Sequence, residues 1–244
     1  MEKSIPRQKQ NKVAPPNQNR NRMIIGGVIG LAIIAAVIFI VVWLNSSNST
    51  AAVGSYADLP QSRLADGGFV IGNPNAPVTI IEFADYACPH CQEYLPTMNQ
   101  FMDTYVKTGK AKFEYRILPT AGGAITENIG NVLACMEQQK AGVFWKAHDI
   151  LFQLAMAGNY NGDTLRNLSG ELGVNYADAL NCSQSQKQVT TDTNLANSLN
   201  VGGTPAIRVR DANGKAGSLI LDGATYDQGG PPFDVLAKYL SQFQ

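Results

Sequence analysis

The segment Val78-Thr79-Ile80-Ile81-Glu82-Phe83-Ala84-Asp85-Tyr86-Ala87-Cys88-Pro89-His90-Cys91 passes from one hydrophobic period to another. Val78 to Phe83 is a short β-branched run bounded by Pro77 and Asp85, and it predicts a buried strand with one polar intruder, Glu82. From Cys88 to about Lys107 the apolar residues Tyr94, Leu95, Met98, Phe101, Met102 and Tyr105 return at helical spacing. A strand therefore runs into a helix, with a Cys-x-x-Cys at the junction. Ala111 to Leu118 alternates as a second strand, which makes this region a β-α-β unit.

Further along, Ala124 to Leu199 turns helical in several pieces, broken at Ala141-Gly142, Gly158-Asn159 and Leu172-Gly173. Ala206 to Arg210 and Ser218 to Leu221 predict two strands around the hairpin signal Asn213-Gly214, followed by a last helix from about Pro232 to Phe243. The order β-α-β, helices, β-β-α predicts an α/β, thioredoxin-like fold over residues 68–244, with an inserted helical domain at about 123–200.

The Cys-x-x-Cys has a chemical purpose at that junction. Cys88 stands at a helix N-terminus, where unpaired backbone N–H groups and the positive end of the helix dipole favour a thiolate. Cys91 follows within one turn and is placed to close a disulfide with it. Cys88 reads as the attacking and attacked sulfur, and Cys91 as the resolving one. Pro89 suits the first helical position, where its missing N–H is not needed. His90 would stabilise the thiolate further if it directs a hydrogen bond or a charge at Cys88. A stabilised thiolate favours the reduced pair and makes the disulfide a stronger oxidant. The competing reading, half of a zinc site, needs two further ligands. Cys135 and Cys182 form no second Cys-x-x-Cys, and His148, on an amphipathic helical segment, reads as a packed side chain. No metal is expected.

Towards the N-terminus the composition changes. Met23 to Leu44 is 22 residues without a charge. At about 1.5 Å per residue it reaches about 33 Å, enough for a hydrocarbon core of about 30 Å, and it predicts one transmembrane helix. A cleaved signal peptide usually has an apolar region of only about 7 to 15 residues; a cut near Ala51 or Ala52 stays open. Lys3, Arg7, Lys9, Lys12, Arg20 and Arg22 precede the span and no charge lies in Asn45 to Thr50. The positive-inside rule then places residues 1–22, a disordered basic tail, in the cytoplasm, and the remainder outside, beyond a linker over 45–67. Four cysteines on the oxidising side read as disulfide formers.

The 244 residues carry 19 basic and 19 acidic groups, but without the tail 13 basic face 18 acidic, a balance of −5. Nucleic acid is not an expected partner, because phosphate neutralisation needs clustered Lys and Arg. With 45% apolar and 16% charged residues the composition is that of a globular chain, which excludes collagen-like, coiled-coil and wholly disordered classes.

Ile81 to Cys91 resembles the active-site segment of the DsbA-like thiol:disulfide oxidoreductases of bacteria, and the resemblance extends over roughly residues 68 to 243. It implies that Gly203-Thr204-Pro205 is the family's cis-proline loop, with Thr204 and Pro205 touching bound substrate chain. It implies that Glu82 is a buried acid under the active site, with a raised pKa, exchanging protons with Cys91 through water; the alternative is an edge-strand Glu facing solvent. Cys135 and Cys182 are each other's remaining intramolecular partner once Cys88 and Cys91 are committed, and their pairing resembles the second disulfide of anchored members. Such a bridge would stabilise by about 4 kcal/mol in the chain-entropy model; an auxiliary redox pair is the alternative.

The resemblance further implies an oxidase without a cofactor that donates the Cys88–Cys91 disulfide to reduced exported polypeptides. Its reoxidant would be a quinone-linked membrane partner, DsbB-like or similar to vitamin K epoxide reductase, held with it in the plane of the bacterial cell membrane. A disulfide reductase or isomerase of the same fold is the second reading, although isomerases of this kind add a dimerisation domain, for which 45–67 is too short. The third is a tethered metal- or client-binding module without turnover.

Overall fold

In the computed structural model the described residues are 56 and 58–243. The expected basic tail, the expected transmembrane helix over 23–44 and the expected linker up to residue 55 lie outside them. Among the described residues no helix is long and apolar enough to cross a membrane. Six strands make the main sheet: β1 Gln61–Arg63, β2 Phe69–Gly72, β3 Thr79–Ala84, β4 Lys112–Ile117, β5 Ala206–Arg210 and β6 Ala216–Ser218, in the spatial order β1-β2-β4-β3-β5-β6. β3 and β4 run parallel and β5 runs antiparallel to β3. β3 is buried at all six positions, as a central strand covered on both faces must be.

The connection from β3 to β4 is helix α1, Pro89–Phe101, extended by a π-turn over Met102–Val106. Five helices follow β4: α2 Gly123–Gln139, α3 Val143–Met156, α4 Thr164–Leu172, α5 Tyr176–Ser183 and α6 Gln188–Ser198. All three predicted breaks contain a left-handed glycine, Gly142 (φ 87°), Gly158 (φ 73°) and Gly173 (φ 71°). The break between α5 and α6 contains only polar residues, Gln184 to Lys187, and carries no such punctuation. A last helix, α7 Phe233–Leu240, packs against α1.

Two details depart from the sequence reading. Gln61–Arg63 lies inside the stretch read as linker, yet it pairs with β2 as the edge of the sheet. The hairpin around Asn213-Gly214 returns on Ala216–Ser218, not on Ser218 to Leu221. Ile220–Leu221 (β7) instead pairs with Ala224–Thr225 (β8) in a separate ribbon, because Asp222 (φ 52°) and Gly223 (φ 80°) turn the chain back immediately.

Register assigns the two faces of the sheet different tasks. Glu82 lies beside Tyr115 and Ile207, on the face covered by α1, α3 and α7, whereas Ile81 lies beside Glu114 and Arg208 on the other. That second face buries charge in pairs. Arg116, fully buried, donates to Glu114 (2.7 Å), Asp192 of α6 (2.9 Å) and Asp66 (2.8 and 2.9 Å), and Arg210 adds two bonds to Glu114 (2.8 and 2.7 Å). The bridge Cys135–Cys182 joins α2 to α5 across a separation of 47 residues.

Removing Arg116 would leave the buried Glu114 and Asp192 with one guanidinium fewer between them. Arg116→Leu is expected to cost about 3 to 5 kcal/mol in urea unfolding. A loss below about 1 kcal/mol would mean that the network does not hold α6 to the sheet.

Candidate active site

β3 ends at Ala84, and the next four residues turn the chain into α1. Asp85 builds that turn. Its buried carboxylate accepts from the Ala87 N–H (2.9 Å), an Asx-type bond two residues on. It also accepts from the Ala121 and Gly122 N–H groups (2.7 and 2.8 Å) and from the Thr126 hydroxyl (2.6 Å), at the approach to α2 and in its first turn. The sequence reading did not single out Asp85. Its one local signal was an Asp two residues before a helix-opening segment; the bonds to residues 121–126 depend on the tertiary fold.

Cys88 occupies the N-cap position of α1, extended at φ −77° and ψ 120°, with Pro89 directly inside the helix. No side chain caps α1, so its first N–H groups keep no side-chain acceptor. The Gln92 amide holds the turn from within the helix by donating to the Tyr86 carbonyl (2.9 Å). Both cysteines of the pair are free thiols, the reduced form of the site. They are not equivalent. Cys88 is 6% exposed and donates its S–H to the Thr204 carbonyl (3.4 Å), whereas Cys91 has no exposure. Burial pushes the Cys91 thiol up strongly, and only the Asp85 backbone N–H and the Thr204 hydroxyl oppose that shift.

The Thr204–Pro205 peptide bond is cis, and Pro205 forms one wall of a groove of about 310 Å³ beside the helix start. Tyr94 and Gly230 form the opposite wall, His90 and Glu93 the rim. The Tyr94 hydroxyl donates to the Pro231 carbonyl (2.8 Å), and a Cβ on Gly230 would meet the Tyr94 ring at 2.4 Å. Glycine is required there for the loop to lie flat on the tyrosine. The His90 side chain is 78% exposed, and its Nδ1 lies 3.3 Å from Glu93 Oε2, one turn along α1. His90 and Glu93 meet there because i,i+3 neighbours share a helix face.

Glu82 is 3% exposed, and it does not face solvent from an edge strand, since β3 has neighbours on both sides. Burial raises its carboxyl to about 8. A cavity of about 10 Å³, room for about one water, touches Glu82 and is closed by Met98, Asn99, Phe113, Trp145 and His148. His148 is the packed core side chain read from the sequence. Its ring stands edge-on to Tyr115 at 4.5 Å, its Nδ1 bonds the Tyr86 hydroxyl at 3.2 Å, and burial pushes its pKa down to about 3.

The sequence pattern of the family described as thioredoxin matches residues 64–217, and the chain belongs to that family. The chain is similar to disulfide bond formation protein D of Bacillus subtilis (strain 168), at 24% identity over 172 residues, 65% of this chain and 72% of that protein. Among solved structures it resembles a thioredoxin-like oxidoreductase from Silicibacter pomeroyi DSS-3 (20% identity, TM-score 0.57, 78% of this chain and 95% of that one). It also resembles alpha-DsbA1 of Wolbachia pipientis (18% identity, TM-score 0.57, 76% and 93%). The solved structures bear on the fold. Family, relative and the paired thiols at the helix start together make the activity class thiol:disulfide oxidoreduction.

The raised Glu82 carboxyl has a stability consequence. The folded chain keeps this proton up to about pH 8 and the unfolded chain only to about 4.5, so between those values the folded state binds more protons and stability falls as pH rises. Glu82→Gln removes that slope. Relative to the parent, the variant should gain on the order of 4 kcal/mol between about pH 4 and pH 9 in urea unfolding. Parallel pH profiles for parent and variant would refute a neutral buried acid.

Proposed function

We propose that this protein donates a Cys88–Cys91 disulfide to exported polypeptides during their oxidative folding. A client thiolate attacks the Cys88 sulfur, the bond between Cys88 and Cys91 breaks, and the Cys91 sulfur leaves with the electron pair. Glu82, buried in β3 on the face covered by α1 and neutral below about pH 8, is the proton source for that leaving sulfur. A second client thiolate then attacks the client sulfur of the mixed disulfide. The client leaves oxidised by two electrons, and the enzyme keeps both cysteines as thiols.

The observation that carries this reading is the asymmetry of the pair: Cys88 at the carbonyl of the cis-proline loop, Cys91 sealed beneath it. Client chain would lie extended along Thr204 and Pro205, in the groove rimmed by His90 and Glu93. Pro89 supports the site by starting α1 without an N–H to satisfy. Cys135–Cys182 acts as a structural bridge closing the helical insertion. Residues 23–44 anchor the chain in a bacterial cell membrane with residues 1–22 in the cytoplasm and the catalytic part outside. Uncharged length and the basic flank support that placement. A quinone-linked membrane protein takes the two electrons back, and sharing a bilayer raises its effective concentration.

Cys91→Ser should accumulate a mixed disulfide between Cys88 and an unfolded client whose single cysteine is presented as a thionitrobenzoate disulfide: the Cys88 thiolate attacks the client sulfur, thionitrobenzoate leaves, and the adduct is visible as a reducible shift on electrophoresis. Cys88→Ser should form none and should transfer at the uncatalysed rate. A trapped adduct in the Cys88→Ser variant would reverse the two roles. Direction is read separately: a pair that reduces insulin as fast as a disulfide reductase, and equilibrates with glutathione as a weak oxidant, would replace the oxidase with the reductase reading.

A further inference from the structure

Arg208 stands in the middle of β5, three residues after the cis-proline, and it is fully buried. A guanidinium is costly in such a place unless its five N–H groups find acceptors. Here they find backbone carbonyls. Nε and Nη2 donate to the Leu199 carbonyl (3.2 and 3.0 Å), and Nη2 donates also to the Asn200 carbonyl (3.3 Å). Nη1 donates to the Asp227 carbonyl (3.2 Å) and to the Ile207 carbonyl of its own strand (2.9 Å), with the Asp227 carboxylate 3.6 Å away.

The two segments gripped in this way are the two that lead into the groove beside Cys88. Leu199 caps the end of α6, and Asn200, in left-handed backbone at φ 54°, turns the chain towards Thr204 and Pro205, the latter one wall of the groove. Asp227 opens the stretch that carries Gly229 and Gly230 to the opposite wall. The far end of that stretch is held at the Pro231 carbonyl by the Tyr94 hydroxyl. One planar fork therefore fixes the approach to both walls. A lysine ammonium, a single point of charge, could not span both segments in the same way.

We propose that Arg208 is a positioning residue for client binding: by clamping Leu199 and Asn200 to Asp227 it sets the width of the groove. This rests on the reading of that groove as the client site. A clamped pair of walls is preorganised, so an arriving chain binds without first having to order them. Arg208 touches neither sulfur nor client. The Cys88 turn is held separately by Asp85, so reaction with a small dithiol, which needs no groove, does not depend on the clamp.

The test gives the oxidised full chain either a short peptide with two cysteine thiols or dithiothreitol, and labels the protein thiols after an acid quench. Both reactions oxidise the added dithiol by two electrons and leave Cys88 and Cys91 as thiols. Arg208→Lys should raise the half-saturating peptide concentration by about five- to thirtyfold, the equivalent of ordering one backbone residue at each encounter. The saturated peptide rate and the dithiothreitol rate constant should both stay within about twofold of the parent, the pattern of lost binding without lost chemistry. Asp227→Asn, at a partly exposed side chain, removes only the charge beside Nη1 and should raise the half-saturating concentration by about two- to fourfold; it carries the test alone if Arg208→Lys does not fold. Equal slowing with peptide and dithiothreitol would make Arg208 a prop for the whole domain, and an unchanged half-saturating concentration in the folded variants would detach the groove from it. Either result overturns the proposal and leaves the functional reading standing. A parent whose peptide rate does not saturate, or a Cys91→Ser protein that traps no client on Cys88, would instead remove the functional reading and this inference with it.

Discussion

The Asp85 carboxylate is the point on which the site depends. It accepts four hydrogen bonds, one from the turn that delivers Cys88 and three from the segment that opens the helical insertion. A buried carboxylate is costly unless its lone pairs are filled, and here backbone N–H groups and one hydroxyl fill them. The same bonds leave little freedom for the turn from β3 to α1 relative to the loop that follows β4. Without them the cysteine pair and residues 120–126 would be two independent surface loops. With them, the thiols, the cis-proline loop and the first turn of α2 share one frame.

Charge is handled differently on the two faces of the sheet. Beneath the active site, desolvation pushes the Glu82 carboxyl up to about 8 and the His148 imidazole down to about 3. Both are therefore neutral across the physiological range, and a proton can be held near Cys91 without a fixed charge beside it. On the opposite face burial also works against the Arg116 charge, but Glu114 and Asp192 outweigh it and its pKa rises. There the charges persist because each is paired. Reactive and structural ionisable groups are thus separated by the alternation of β3 and β4, one residue apart along each strand.

That alternation is legible in the amino-acid sequence, as is the junction of strand, Cys-x-x-Cys and helix, because both are local periodicities. The buried position of Glu82 is legible only through the family resemblance, since a polar residue in an apolar run fits either face. The strand Gln61–Arg63 is not legible: Gln-Ser-Arg has no strand propensity, and it is ordered by the hydrogen bonds of β2. The turn at Asp222-Gly223 is hidden because it lies inside an apparent continuation of the preceding strand. The orientation of His90 is hidden too, since its place between the cysteines says nothing of Glu93, three residues on. Asp85 owes its place to a partner 36 residues away, a distance over which no periodicity reports.

Thr204 shows how one residue can separate the two sulfurs chemically. Its carbonyl can accept only from a sulfur that carries a proton, and its hydroxyl can donate to a sulfur that carries none. In the reduced site the carbonyl is occupied by the Cys88 S–H. In the proposed cycle, once Cys88 is bonded to another sulfur it has no proton to give, and that carbonyl becomes a free acceptor at the edge of the groove. The carbonyl has two lone pairs and can accept a backbone N–H of an arriving chain in either state, but it meets no competing S–H only when Cys88 is in a state that can be attacked. Completed transfer restores the S–H bond and occupies one lone pair again. In the proposed cycle a single peptide unit would thereby bias the groove towards chain binding when the pair is oxidised.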